Sequence, residues 1–372
     1  MMKKVLYTAT VASHICQFHL PYLKMLKEKG YEIHVAAHDN LAEKNGLQLK
    51  YVDKFIEVPF SRSPKSLQNI KAYKQLKKLF NEEYYDLVVC NTPMGGIVTR
   101  KAAKKTRKKG TKVVYIAHGF HFYKGGPKKN WLFYYPIEKH FAKKCDVLVT
   151  ITNEDYQLAK KKFKTSVMRI HGAGVDEKRH YPITEEEKQQ LRMDFGVEKE
   201  EFICLCTGEL NANKNQKQLI QLAPRLKEKI PNFQLWLAGN GPLKDELEKE
   251  IQRQNAQEYI TLLGYKPNIE LYVRMCDVVL SASKREGLPF NIVEAMLTRR
   301  PVVTTINRGH RELITDQDNG FMSNDWTVFC NSVVALYKDK KLYKDIIDNA
   351  YQSIQAYTVE NVREEIINCL IR

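Results

Sequence analysis

Two carboxylates eight positions apart, Glu286 and Glu294, stand on either side of a chain turn within Ser281-Ala-Ser-Lys-Arg-Glu-Gly-Leu-Pro-Phe-Asn-Ile-Val-Glu-Ala295. Val278-Val279-Leu280 reads as the end of a buried strand, Gly287 and Pro289 break the chain, and Asn291 to Leu297 has helical spacing. Such a turn leaves the backbone N–H groups of about Gly287 to Phe290 (Gly287, Leu288 and Phe290, since Pro289 has none) at a helix N-terminus, a ready anion site. Glu286 falls at the mouth of that site and Glu294 two turns along the helix. A carboxylate repels a phosphate, so the fitting task for both acids is to accept hydrogen bonds from sugar or ribose hydroxyls. Anion site and hydroxyl acceptors together suit a nucleotide-sugar. Taken alone, two glutamates at this spacing are common by chance.

Further candidates follow other strand-like runs. Thr207-Gly208-Glu209-Leu210-Asn-Ala-Asn-Lys214-Asn215 leaves a strand and opens a helix, where Lys214 can neutralise a diphosphate as a point charge or be a solvated lysine. Ala238-Gly239-Asn-Gly241 is a glycine turn of the kind that serves any tight strand-to-helix connection. Tyr265, after Gly264, is either a stacking surface or structural. His118, just past the strand-like Lys112 to Ala117, can hydrogen-bond a sugar hydroxyl or a leaving phosphate. His14, His19 and His121 are nearby histidines, of which two or more are expected to be structural.

The elements that must position these residues alternate short apolar β-runs with amphipathic helices, the pattern of parallel α/β layering. In the first half the strands are Val5 to Ala9, Glu32 to Ala36, Tyr85 to Cys90, Lys112 to Ala117 and Asp146 to Ile151. Helices are expected at Leu20 to Lys29, closed by Gly30, and at Ile97 to Lys109. The second half repeats the theme at Phe202 to Thr207, Gln234 to Ala238, Ile260 to Leu263, Asp277 to Ser281 and Val302 to Thr305. Between the halves, His171-Gly-Ala-Gly-Val-Asp-Glu-Lys-Arg-His-Tyr-Pro182 reads as a hinge.

The run Glu286-Gly-Leu-Pro-Phe-Asn-Ile-Val-Glu294-Ala resembles the signature of the family-4 retaining glycosyltransferases, and Cys276 to Ser281, Arg300-Pro-Val-Val303 and the Gly-Val-Asp of the hinge extend the likeness. The resemblance is closest to capsule and exopolysaccharide enzymes. It implies the GT-B fold: two Rossmann-like α/β domains with parallel sheets facing each other across a cleft. Residues 1–175 would form the acceptor- and membrane-facing domain, with the last helix, 358–372, packing back on it. Residues 176–357 would form the nucleotide-sugar domain. Carried over, the likeness puts Glu294 on the ribose, and Lys214 and the Gly287–Phe290 turn on the diphosphate. Gly208 and Tyr265 fall near the nucleotide, and Glu286 and His118 bracket the donor sugar. The family pattern Gly-Arg-x-x-x-x-Lys is met by Gly208 and Lys214, but Glu209 holds the Arg position, leaving one cation fewer. The family implies no cofactor and no metal, because helix dipole and basic side chains offset the diphosphate charge. Asp316-Gln-Asp318 has a metal-binding spacing but reads as chance.

At 372 residues, 43% hydrophobic and 28% charged, the chain is long enough for two cores and is not a disordered one. Eight scattered cysteines without a Cys-x-x-Cys pair suit a reducing compartment. No apolar stretch spans a membrane, and Lys3-Lys4-Val5-Leu6 is expected to open a β-strand rather than a signal peptide. The charge is lopsided: residues 1–180 carry 35 Lys+Arg against 15 Asp+Glu, and residues 181–372 carry 25 against 28. Three basic segments interleave apolar or aromatic residues: Leu67 to Phe80, Arg100 to Lys109, and Lys124 to Lys144 with Trp131, Phe133, Tyr134 and Tyr135. Such segments suit an anionic bilayer, at about 1 kcal/mol per cation near the surface. The expected protein is thus cytoplasmic and peripheral to the inner membrane face. It would move a hexose or N-acetylhexosamine from a UDP-sugar to a polyprenyl-diphosphate-linked saccharide. A soluble or other lipid acceptor is the near alternative. A nicotinamide oxidoreductase would need Gly-x-Gly-x-x-Gly where Thr8-Ala-Thr-Val-Ala12 stands. A sugar phosphorylase would need a pyridoxal lysine, and a specific nucleic-acid partner finds no motif.

Overall fold

The computed structural model describes residues 2–43 and 47–371. They form two compact units, Met1–Gly174 with Val359–Arg372, and Val175–Thr358.

The first unit is built on seven parallel strands: β1 (Lys4–Val11), β2 (Glu32–His38), β3 (Lys54–Glu57), β4 (Leu87–Asn91), β5 (Lys112–Ala117), β6 (Val147–Thr150) and β7 (Ser166–Arg169). Their spatial order is β3-β2-β1-β4-β5-β6-β7. The inner strands are runs such as Leu87-Val-Val-Cys-Asn91, buried at every position, because helices cover both faces of a parallel sheet. The chain leaves β1 towards one edge and returns at β4 to build the other, so β1 pairs with both β2 and β4. Loops at the carboxyl ends of strands flanking such a switch are where open α/β sheets place ligands.

The second unit repeats the plan with six parallel strands: β8 (Phe202–Thr207), β9 (Phe233–Ala238), β10 (Ile260–Gly264), β11 (Val278–Ser281), β12 (Val302–Thr304) and β13 (Phe321–Met322). The order is β10-β9-β8-β11-β12-β13, with the switch between β8 and β11. Its core gathers Phe202, Leu205-flanking Cys204 and Cys206, Leu235, Leu237, Val278, Leu280 and Phe329. The loops leaving β8 and β11 therefore emerge side by side, and they carry Lys214 and Glu286.

The strands not anticipated from sequence are all at sheet edges: β3, β7 and β13. β3 is largely exposed and shows no apolar run for periodicity to find. The helix expected at Ile97 to Lys109 is instead Pro93–Ala102, followed after a break by Lys104–Arg107. Pro93 occupies its first turn, where a missing N–H costs nothing. All eight cysteines are buried and unbridged.

The final helix, Val359–Leu370, buries Val362, Ile366, Cys369 and Leu370 and belongs to the first unit. His171 fixes it there: its backbone N–H donates to Glu365 Oε2 at 2.8 Å and its Nδ1 meets Oε1 at 2.6 Å. Gly174, at φ +78°, lies so close that a Cβ would stand 2.7 Å from Val359 Cα. This is why the hinge carries glycine there.

Candidate active site

Lys214 and Glu286 form the centre of the second unit's site. The Lys214 ammonium donates to Glu286 Oε1 at 2.8 Å, with the two side chains 21% and 13% exposed. The loops that carry them are laced together: the Lys284 N–H donates to the Asn213 carbonyl, and Asn213 Nδ2 to the Arg285 carbonyl. The Lys214 N–H is itself held by Asn211 Oδ1 at 2.9 Å, an Asx-type turn that fixes the lysine's exit from the loop. Gly208, at φ +142°, makes room for the lysine stem; a Cβ there would sit 3.0 Å from Lys214 Cε. Gly239, at φ +146°, packs still closer, since its Cβ would stand 2.0 Å from the Gly208 carbonyl oxygen. Backbone bonds from Gly208 to Ala238 and from Gly239 to Gly264 tie the ends of β8, β9 and β10 into one platform.

The turn after β11 leads into the helix Phe290–Leu297, which starts on Pro289 with no side-chain cap. Leu288 is buried, Gly287 and Phe290 partly so. The N–H groups of Ile292 and Val293 return to the Pro289 carbonyl, which tightens the first turn below the loop. Behind the loop, Gly309 packs so tightly that a Cβ would lie 2.6 Å from Glu286 Cβ. The Thr305 hydroxyl and Asn307 Nδ2 both donate to the Ser283 carbonyl.

Glu294 points from this helix towards the hinge side of the same unit. Burial first, with Glu270 adding to it against Arg179 and Lys214, pushes its carboxyl up to about 7. Its Oε1 lies 3.9 Å from His180 Nε2. His180 is buried, and burial followed by the Arg179 charge pushes its imidazole down to about 4. Sequence reasoning missed His180; its signal was its place four residues beyond Gly174-Val-Asp176, in the segment that folds over the Glu294 helix. His310 was missed as well. It is wholly buried and pushed down to about 4, chiefly by burial, with Nδ1 2.6 Å from the Thr305 carbonyl.

The remaining candidates fall as follows. Tyr265 is half exposed on the strand-end Gly264 turn, open to a flat partner. Glu209, in place of the expected arginine, is exposed and accepts from Asn211 Nδ2 at 2.8 Å, so it braces the Lys214 loop instead of adding charge. Lys284 and Arg285 are exposed beside it. Asp316 accepts from the Met322 N–H and Asp318 from Asn349, so both carboxylates serve their turn.

His118 belongs to the first unit, beyond β5. His14 and His19 join it, with ring centroids 4.5 and 5.1 Å away, whereas His121 stacks on Tyr134. Of the three nearby histidines, His14 and His19 thus gather on His118 and His121 does not, because the helix Ala12–Phe18 and the turn after it bring His14 and His19 to one side of the β1 loop. Among the described residues the site in the second unit offers a cation, two carboxylates of different character and a polar platform at the sheet's switch point. This set can hold a charged diphosphate and the hydroxyls on either side of it.

Residues 187–353 match the family model for glycosyl transferases group 1, and residues 4–153 the model for glycosyl transferase 4-like proteins. EpsD of Bacillus subtilis (strain 168), described as a glycosyltransferase, is 41% identical over 98% of this chain and 96% of its own. The UDP-Gal:alpha-D-GlcNAc-diphosphoundecaprenol alpha-1,3-galactosyltransferase of Escherichia coli is 27% identical over 89% of this chain and 86% of its own. Among solved structures, Anabaena HepE in complex with UDP and glucose has a TM-score of 0.78 at 20% identity, covering 99% of both chains. Both halves of the sequence, the two sheets and these likenesses agree: the chain belongs to the group 1, family-4 glycosyltransferases and is a GT-B enzyme.

Proposed function

We propose that this glycosyltransferase moves a hexose or N-acetylhexosamine, with retention, from a UDP-sugar to a polyprenyl-diphosphate-linked saccharide in capsule- or exopolysaccharide-type synthesis. The observation that carries the donor half is the Lys214–Glu286 pair, set on glycine turns at the switch point of β8 and β11. In this reading a diphosphate takes over Lys214, and the turn of Gly287, Leu288, Pro289 and Phe290 presents the helix N-terminus to it. Charge developing on the leaving phosphate is then met by groups already in place, with no divalent metal on the diphosphate. Glu286, released from the lysine, accepts from a sugar hydroxyl. Glu294 takes the ribose hydroxyls, with Gly208 beneath the phosphates and Tyr265 beside the base. From the first unit, His118 serves a sugar hydroxyl. The UDP in HepE and the UDP-Gal donor and diphosphoundecaprenol acceptor in the Escherichia coli relative's name support this choice of substrates.

A peripheral seat on the inner membrane face belongs to the same proposal. Among the described residues no helix is long and apolar enough to cross a membrane. The helix Lys128–Ala142 instead turns Trp131 and Tyr135 inward onto Phe122 and leaves Leu132, Phe133, Tyr134 and Ile137 exposed. Lys128, Lys129 and Lys139 are exposed beside them, an arrangement suited to an anionic bilayer. Just past its C-terminus a cavity of about 410 Å³ is lined by Lys104, Arg107, Lys108, Lys143, Lys144 and Asp146. Its excess of cations suits a lipid headgroup.

Thermal unfolding with UDP, GDP or NAD tests the donor assignment. Ligand at 100 times its dissociation constant adds about 2.7 kcal/mol, enough for a shift of a few degrees. A UDP-selective shift lost in Glu294→Ala is expected; an NAD shift, or none with UDP, would overturn it.

A further inference from the structure

Three histidines gather at the first unit's switch point. His14 lies in the helix Ala12–Phe18, His19 just after it, and His118 just past β5. Their ring centroids are 4.5, 5.3 and 5.1 Å apart, and one ring nitrogen from each lies within 4.8 Å of the others. Three imidazoles on one tetrahedral ion, bound at about 2.05 Å, hold their centroids about 5 Å apart. The rings already stand at that separation, and small side-chain rotations would bring the nitrogens together.

The hydrogen bonding points the same way. His14 Nε2 and both nitrogens of His19 are buried without a partner, and His19 is wholly enclosed. Buried polar atoms left so are few in folded proteins and cost about 1–3 kcal/mol each. Asn91, ending β4, donates through Nδ2 to the Thr8 carbonyl, which aims its Oδ1 at His118 Nε2, 3.4 Å away. That carbonyl selects the tautomer with hydrogen on Nε2 and leaves the Nδ1 lone pair for a ligand, as outer partners of metal-bound histidines do.

We propose that His14, His19 and His118 form a three-imidazole site for one divalent transition ion of the Zn2+ or Co2+ class, with a fourth position open to water or a substrate hydroxyl. A hexose hydroxyl could reach the partly exposed His14 and His118 but not the enclosed His19, whereas an ion between the rings meets all three. The other cluster of this composition, Glu32, His34 and Glu83, already holds a cation, the Lys4 ammonium, 2.8 Å from Glu83 and 3.4 Å from Glu32. The three-histidine site lies within the first unit and uses neither Lys214 nor Glu286. With the ion bound, His118 would reach a hydroxyl through the fourth position rather than through its own nitrogen.

The test is equilibrium dialysis of the untagged, chelator-stripped full chain against Zn2+, with metal analysis, and the visible spectrum on adding Co2+. One equivalent and the intense visible bands of tetrahedral Co2+ are expected. His14→Gln, His19→Ala and His118→Ala should each lose the site, and Asn91→Ala should weaken it about 10- to 100-fold. The UDP-induced thermal shift, read on the same samples, reports folding and the donor site separately. His14→Gln, at a partly exposed position, covers the case in which His19→Ala does not fold. Binding well below one equivalent in the wild type, or unchanged binding in a folded histidine variant, would overturn the site. So would stabilisation by a soluble hexose but not by Zn2+ or Co2+.

Discussion

Lys214→Met and Glu286→Gln should move UDP affinity in opposite directions, although the two side chains form one ion pair. In the free enzyme the lysine's charge is spent on Glu286 at 2.8 Å, with both groups mostly buried. A diphosphate must displace that carboxylate. Removing the lysine deletes a charge-assisted hydrogen bond worth about 1.5–3 kcal/mol and leaves Glu286 facing an anion. UDP should therefore bind about 10- to 150-fold more weakly. Removing the carboxylate's charge frees the lysine in advance. The desolvation cost of a mostly buried pair offsets much of its attraction, leaving a net worth of about 1 kcal/mol or less, so Glu286→Gln should bind UDP as well as the wild type or up to about fivefold more tightly. Its turnover should still fall at least about 100-fold, because the acceptor for the sugar hydroxyl is weakened in the transition state. Calorimetric titration with UDP, beside initial rates of transfer, separates the two effects. Equal weakening of UDP by both substitutions would refute the idea that phosphate and Glu286 compete for Lys214.

Four other outcomes are expected. Glu294 has a folded-state pKa near 7 against an ordinary 4.5, so its stabilising proton is fully held below pH 4.5 and lost as pH rises to 7. Glu294→Gln should flatten up to about 3 kcal/mol of that loss, seen as a higher urea midpoint at pH 8 but not at pH 4.5, while UDP affinity falls. Gly239→Ala forces a Cβ to within 2.0 Å of the Gly208 carbonyl at φ +146° and should cost at least about 2 kcal/mol and abolish the UDP shift. Arg100 is wholly buried, bonded to Glu138 at 2.7 Å and stacked on Tyr115; Arg100→Ala should destabilise by about 3–5 kcal/mol in denaturant melts. Leu132→Asp with Phe133→Asp, both exposed on their helix, should abolish sedimentation with anionic vesicles and leave the UDP shift intact.

The strands at the centres of both sheets were legible because burial on two faces forces unbroken apolar runs, as in Leu87 to Asn91 or Phe202 to Thr207. Edge strands such as Lys54–Glu57 carry no such constraint and were not. At the site, the acids and Lys214 could be read from spacing and family likeness, since strand, turn and helix fix them locally. Their pairing could not, because 72 residues separate Lys214 from Glu286 and only the β8–β11 switch brings them together. His180 and His310 escaped for the same reason: each acts through a segment folded over another. The likeness placed an arginine's absence at Glu209 but not its consequence, a carboxylate turned outward onto Asn211. Leu67 and Ile70 were expected in the apolar stripe of their helix. They lie exposed, since Asn69, Ala72, Leu76 and Phe80 form the buried face.

The most direct test is transfer itself: UDP-hexoses and UDP-N-acetylhexosamines offered with a polyprenyl-diphosphate-linked sugar, with UDP release and the anomeric proton of the product followed by nuclear magnetic resonance. One UDP-sugar should release UDP only when the lipid acceptor is present and yield a product with the donor's anomeric configuration. Transfer with inversion, or release of GDP or another nucleotide in preference to UDP, would contradict the assignment.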